Sequence, residues 1–272
     1  MTVTSAPAAA RETWENSPQR LLTQSWVLTV RVLRRWRRDP ATVLESLIMP
    51  VTLLITLNIV LGDGIRQLTG HSALYNSAPL IAMVGAMSGS MLGGIGLMAE
   101  RDGGLLARLW VLPMHRASGL LSRLAADAVR IVVTTLIVLC AAMIMGFRFR
   151  QGIPAAVAWV LVPMVFGIVF TAMVLTLALY SANTIMVEGT EVVWGLLMFF
   201  SIGFVPLDQY PRWLQPVVEH QPVSYAIKAM RGLSLDGPVL QPLLGLSTWS
   251  VCLAAVCAVP LALGYRKAST RE

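Results

Sequence analysis

Six apolar runs, at 42–61, 78–99, 125–146, 154–179, 184–205 and 247–265, dominate this chain. Each approaches or exceeds the roughly 20 residues that carry a helix across the ~30 Å hydrocarbon core of a bilayer. Lipid offers the backbone no hydrogen-bond partner, so such runs are predicted as helices that satisfy their own N–H and C=O groups. Pro50, Pro163 and Pro260 fall inside the runs, where neighbouring helices take up the freed carbonyls. Composition agrees: 56% of the 272 residues are hydrophobic and only 13% are charged, about half the charge of a soluble domain. The pattern predicts an all-α polytopic membrane protein with six transmembrane helices. An arm over 1–40 precedes a transmembrane domain over 41–272, and no stretch is left for a separate soluble domain.

The net charge of +7 reads as topology, because the basic residues stand beside the spans. With the N-terminus inside, seven lie in the arm, five between Arg101 and Arg130 and three in the tail, against six outside. The positive-inside rule then predicts a plasma-membrane protein with both termini cytoplasmic. No nucleic-acid partner is implied. The first twenty residues hold no apolar core of the signal-peptide kind. Within the arm, Leu22, Trp26, Val30, Leu33 and Trp36 recur on one helical face, with Arg31, Arg34, Arg35 and Arg38 opposite. An amphipathic interfacial helix is predicted, its apolar stripe in lipid and its arginines toward anionic headgroups. Asp39-Pro40 stops it.

Between the second and third runs lies E-R-D-G-G-L-L-A-R-L-W-V-L-P-M-H-R, residues 100–116, on the predicted cytoplasmic side. Gly103 and Gly104 break the chain, Leu105, Leu109 and Leu112 share one side, and Pro113 ends the pattern. A short helix of this kind presses on another protein or lies on lipid headgroups.

Several polar features interrupt the apolar runs. Gly85, Gly89 and Gly93 recur every fourth residue in the second run, a flat ridge for close helix approach within one subunit, at a dimer interface or along a conduit. Glu188 and Glu191 enter the fifth run near its cytoplasmic start, where they are partly solvated, paired with arginine, or part of a proton relay. Arg123, Asp127 and Arg130 are spaced to pair along one face of the third helix. The first part of the segment 206–246 carries prolines at 206, 211, 216 and 222 with Trp213, Leu214 and Tyr225, which predicts short broken helices at or dipping into the outer leaflet. Enzyme chemistry finds no footing. His71, His115 and His220 are scattered, Cys140, Cys252 and Cys257 are expected as inert core thiols, and no metal, HExxH, GxSxG or phosphate-cradling G-x-x-x-x-G-K-[ST] pattern occurs. No catalytic residue and no cofactor are predicted for this chain.

Three motifs in order resemble the permease subunits of ABC-2 type exporters across nearly the whole chain. They are Glu100, Arg101, Gly104, Leu109 and Pro113 in the loop, Ser201, Gly203 and Pro206 after the fifth run, and Pro211, Trp213, Leu214, Pro222, Tyr225 and Arg231 beyond. The likeness is strongest to the daunorubicin-resistance branch, and within it to mycobacterial lipid exporters. The resemblance implies that the 100–116 loop and the N-terminal helix receive a cytoplasmic ATPase subunit, present in two copies, which holds ATP and Mg. It implies a second permease, of a related B type, an apolar lipid or amphiphilic drug as cargo, and a path formed by the first, second and fifth spans. It also implies a re-entrant outer segment after the fifth span. Glu188 and Glu191 stand where that family has a mostly apolar helix. A proton-coupled carrier using these two glutamates, and a non-transporting scaffold for lipid synthesis, are the competing readings.

Overall fold

The computed structural model describes residues 18–69, 72–105 and 117–270, and the regular elements among them are all helices. The chain opens with α1 (Pro18–Arg38), α2 (Pro40–Val43), a π-helical turn (Leu44–Ile48) and α3 (Met49–Thr69). Then come α4 (Leu74–Asp102), α5 (Ser118–Ile144), α6 (Gly152–Tyr180) and α7 (Ile185–Phe199). A 3-10 turn (Leu207–Gln209) and two small helices, α8 (Gln215–His220) and α9 (Pro222–Leu235), lead into α10 (Leu240–Thr270).

Among the described residues, α4, α5, α6 and α10 are long and apolar enough to cross a bilayer. The other two predicted spans are shorter. In the first, a π-helical turn runs directly into Pro50, whose ring would clash with a regular helical carbonyl four residues back. Its apolar part is confined to Ser46–Val60. The fifth pattern extends to Val205, yet α7 stops at Phe199 after 15 residues, about 22 Å of helix. Side chains from further along the chain claim the carbonyls at its end. Gln221 Nε2 donates to Phe200 O at 2.7 Å, and Tyr210 Oη donates to Phe199 O and Ser201 O at 3.3 and 3.2 Å.

The core is built around α4, which packs on α6, α5, α9 and α3. Small residues make this possible: Ala78, Ala82, Gly85, Ala86, Gly89 and Ser90 are all buried, so neighbouring backbones come close. Ser90 and Thr171 join α4 to α6 by a buried hydroxyl hydrogen bond of 2.9 Å. Trp159 and Phe166 on α6 are the bulkiest enclosed side chains together with Phe147. At the end of the bundle away from the α1 arginines, Tyr75, Phe147, Phe149 and Trp159 form one aromatic cluster. Helix α10 leans on α6 and α9 and leaves most of its surface open. Cys257 is buried there, whereas Cys140 and Cys252 face outward, so only one of the three is a core thiol.

Helix α1 sits differently from its apolar stripe. It packs on α5 through Ser25 and Thr29, which are buried, and Thr29 Oγ1 donates to Ser25 O at 2.6 Å and to Ser122 O at 3.3 Å. Leu22 and Trp26 remain exposed, but Trp36 turns inward, its indole Nε1 donating to Ser46 Oγ at 3.2 Å. Two small polar residues allow a closer approach than the bulky face does, and that decides which side docks.

Candidate functional site

The Arg-rich end of the bundle brings together the last turn of α4 with α1, α5, α6 and α10. Helix α4 closes at Asp102, and Gly104 follows with φ +70°, a conformation that favours glycine. Glu100, in the last turn, accepts from Arg123 on α5 and from Arg35 on α1, the latter at 3.5 Å. Arg101 points the other way. Its Nη1 lies 3.0, 3.1 and 2.9 Å from the carbonyl oxygens of Ala178, Leu179 and Ser181, at and just past the end of α6. Those carbonyls have no partner within their own helix, and a cation suits the negative end of the helix dipole. On α10, Tyr265 sets its phenolic hydroxyl against Gly119, where any β-carbon would collide. Leu105 is half-buried; Leu109 and Pro113 lie outside the described residues. Arg34 is exposed and Leu33 half-buried on α1.

The glycine ridge faces α5. A β-carbon on Gly85 would lie 2.6 Å from Thr134 Cγ2, and one on Gly89 2.6 Å from Arg130 Nε. Gly93 is next to Asp127. Arg130 is 4% exposed, midway along α5, and its Nε pairs with Asp127 Oδ1 at 3.0 Å. Its two terminal nitrogens donate to Gly85 O and Ala86 O, both at 3.3 Å. Every arm of the guanidinium is thus spent on α4 or on its own helix. The spacing of Arg123, Asp127 and Arg130 predicts one ladder along α5; Arg130 keeps its pair with Asp127, while Arg123 crosses to Glu100 at the end of α4.

Helix α7 is held loosely. Only Val187, Trp194 and Met198 are buried, and Trp194 stacks at 5.7 and 5.0 Å against Phe166 and Phe170. Glu188 is exposed and Glu191 half-buried; among the described residues neither forms an ion pair. Beside this aromatic contact α7 forms, with α6 and α10, a lateral groove of about 590 Å³. Phe170, Met173, Met186, Val193, Trp194 and Leu253 are among its lining residues, and none of the lining residues is charged.

At the opposite end, Ser201 is fully buried and Gly203 packs so closely on Leu80 and Ile227 that a β-carbon would come within 3.0 Å of both. Pro206 opens the 3-10 turn, and Pro211 accepts from the amides of Leu214 and Gln215 at 2.8 and 3.2 Å. Trp213 is exposed and Leu214 packs on the core. Pro222 starts α9, Tyr225 lies over Gly245, and Arg231 donates to Asn76 Oδ1 at 3.4 Å. Lys228, bonded to Glu219 at 2.9 Å, holds that carboxyl below the ordinary carboxylate range. The residues that sequence reasoning passed over here are Asn76, Gln221 and Ser224. All three are buried polar groups; Asn76 and Ser224 sit within helices, and Gln221 stands between two small ones just before Pro222.

With this geometry in hand, comparison with known proteins is informative. Residues 23–235 match the family described as ABC-2 type transporter. Among curated proteins the chain is similar to the "Probable doxorubicin resistance ABC transporter permease protein DrrC" of Mycobacterium tuberculosis, 51% identical over 256 residues, covering 94% of this chain and 93% of that one. It is also similar to the "Daunorubicin resistance ABC transporter permease protein DrrB1" of Streptomyces coeruleorubidus, 25% identical over 78% of this chain and 74% of the relative. The "Putative transport permease ycf38" of Pyropia yezoensis is 25% identical over 87% and 83% of the two chains.

Proposed function

The chain belongs to the ABC-2 type transporter family, and from that premise we propose that it is the permease half of an ATP-driven exporter of large apolar molecules. It is a multi-pass membrane transport subunit, and ATP hydrolysis belongs to a partner. In the proposed assembly two cytoplasmic ATPase subunits hold ATP and Mg, and a second, B-type permease completes the pair. The 100–116 loop and α1 receive the ATPase, both termini face the cytoplasm, α3 and α7 count with the four long helices as six crossings, and the 206–246 segment dips into the outer leaflet.

The observation that carries this reading is the junction at Glu100 and Arg101. The last turn of α4 is tied there to α1, α5 and α6 at once, so a push on it from outside the membrane reaches most of the bundle. The cargo we favour is a lipid of the phthiocerol dimycocerosate kind or an amphiphilic drug, supported by the uncharged groove beside α7 and by the drug-resistance name of the similar mycobacterial permease. Co-purification tests the proposal. The chain, expressed with its candidate ATPase and second permease, should be recovered as one complex whose export needs ATP. Export by this chain alone would refute it.

A further inference from the structure

We infer that Arg101 is a positioning residue that carries displacement of the end of α4 to the α6–α7 hairpin and so to the walls of the lateral groove. This inference rests on the exporter reading above. Two neighbouring side chains divide the end of α4 between them. Glu100 ties it to α1 and α5 through Arg35 and Arg123, while Arg101 ties it to α6 through three carbonyl oxygens at 2.9–3.1 Å. The Arg101 side chain is 15% exposed, and its Nε is fixed by Asp102 Oδ1 at 2.9 Å, so the guanidinium is aimed from both sides.

The acceptors matter more than their number. Ala178 and Leu179 belong to the last turn of α6, and Ser181 is the first residue beyond it. Only residues 181–184 separate α6 from α7, which begins at Ile185. A displacement of Arg101 therefore moves the base of both helices together. These two helices form two of the groove's three walls, with Phe170 and Met173 on one and Met186, Val193 and Trp194 on the other. Helix α7 is also lightly held, since one face buries three residues and the other, including Val192 and Leu196, is open. The seam between α4 and α5 is locked by Arg130, so motion arriving at Arg101 is resisted there and yields toward α7. All three contacts are made by Nη1, which sets a positive charge against the negative end of α6.

The test uses the complete permease–ATPase complex in proteoliposomes, with ATP hydrolysis and export of the lipid or drug cargo measured on the same sample. In Arg101→Met, hydrolysis should persist while export per ATP falls on the order of tenfold, within the range by which single residues alter coupling between sites. Arg101→Lys keeps the positive charge at the end of α6 and should recover part of the lost ratio. A spin label at Val192 should report an ATP-dependent displacement in the wild-type complex that Arg101→Met abolishes. A second variant keeps every Arg101 bond and severs only the onward link: two glycines inserted after Asn183 should give the same hydrolysis without export. Wild-type export per ATP in Arg101→Met or in the insertion variant would overturn the inference, as would Arg101→Met losing assembly while the insertion variant exports normally. A wild-type complex that exports without ATP would instead sink the exporter reading, which separates the two failures.

Discussion

Replacing Gly89 by alanine should destabilise the protein through Arg130, and only through Arg130. The added methyl would sit 2.6 Å from Arg130 Nε, inside the space the guanidinium occupies. To make room the side chain must give up its pair with Asp127 at 3.0 Å or its bonds to Gly85 O and Ala86 O at 3.3 Å. Forcing extra volume into a packed seam costs about 1–3 kcal/mol. Arg130→Met should cost more, about 3 kcal/mol, because Asp127 stays in the bundle as an unpaired carboxylate. The decisive variant is the combination. With methionine at 130 the rigid, bonded group that the methyl would strike has gone, so Gly89→Ala should add little to Arg130→Met. The coupling between the two sites then amounts to nearly the whole cost of the glycine change. Melting in detergent, followed by fluorescence-detected gel filtration, gives the cycle directly. A cost of about 2 kcal/mol corresponds to roughly 4–8 °C for a chain of this size. Equal drops for Gly89→Ala in both backgrounds would refute the account of the seam.

Three further outcomes follow from single sites. Gln221→Leu removes the donor to Phe200 O and should lower the melting midpoint by the equivalent of about 1–3 kcal/mol, with protease sensitivity appearing first in 200–206; unchanged protection there would show that the end of α7 is set otherwise. Gly104→Ala should cost about 1 kcal/mol while Gly104→Asn costs less, since φ +70° is tolerated by asparagine far better than by alanine; the reverse order by thermal shift would contradict the turn. The carboxyl of Glu219 titrates below its unfolded range, so the Lys228 pair stabilises the fold above the ordinary carboxylate range of ~4 and fades as pH falls through the lowered value. Because both groups are partly exposed, the gap between wild type and Lys228→Met should stay under about 1 kcal/mol at neutral pH and close in acid; a gap that widens in acid would reverse the sign.

Much of this architecture is legible in the sequence, for a physical reason. In lipid the backbone has so few options that apolar length alone predicts a helical bundle, and ordered loop motifs then narrow the family. What the sequence hides is pairing between distant residues. Glu100 meets Arg35 and Arg123, 65 and 23 positions away, and no local spacing announces either. The fifth run looks continuous to Val205 because its hydropathy is continuous, while the groups that end α7 are Tyr210 and Gln221, which lie well beyond it. Trp36 fits an apolar stripe on a helical wheel, yet Ser46 draws its indole inward and Ser25 and Thr29 supply the docking face. Hydropathy ranks side chains by transfer energy, and close packing of small polar residues is invisible on that scale.

The central claim is that this chain moves its cargo only when a separate ATPase drives it through the junction at Glu100 and Arg101. The most direct measurement is flux of a fluorescent lipid or anthracycline across proteoliposomes that contain the permease pair with and without the ATPase. Flux that appears only with the ATPase and hydrolysable ATP, and that ignores a collapsed proton gradient, is the predicted result. Flux from the permeases alone, or flux that an uncoupler stops while ATP is abundant, would contradict it.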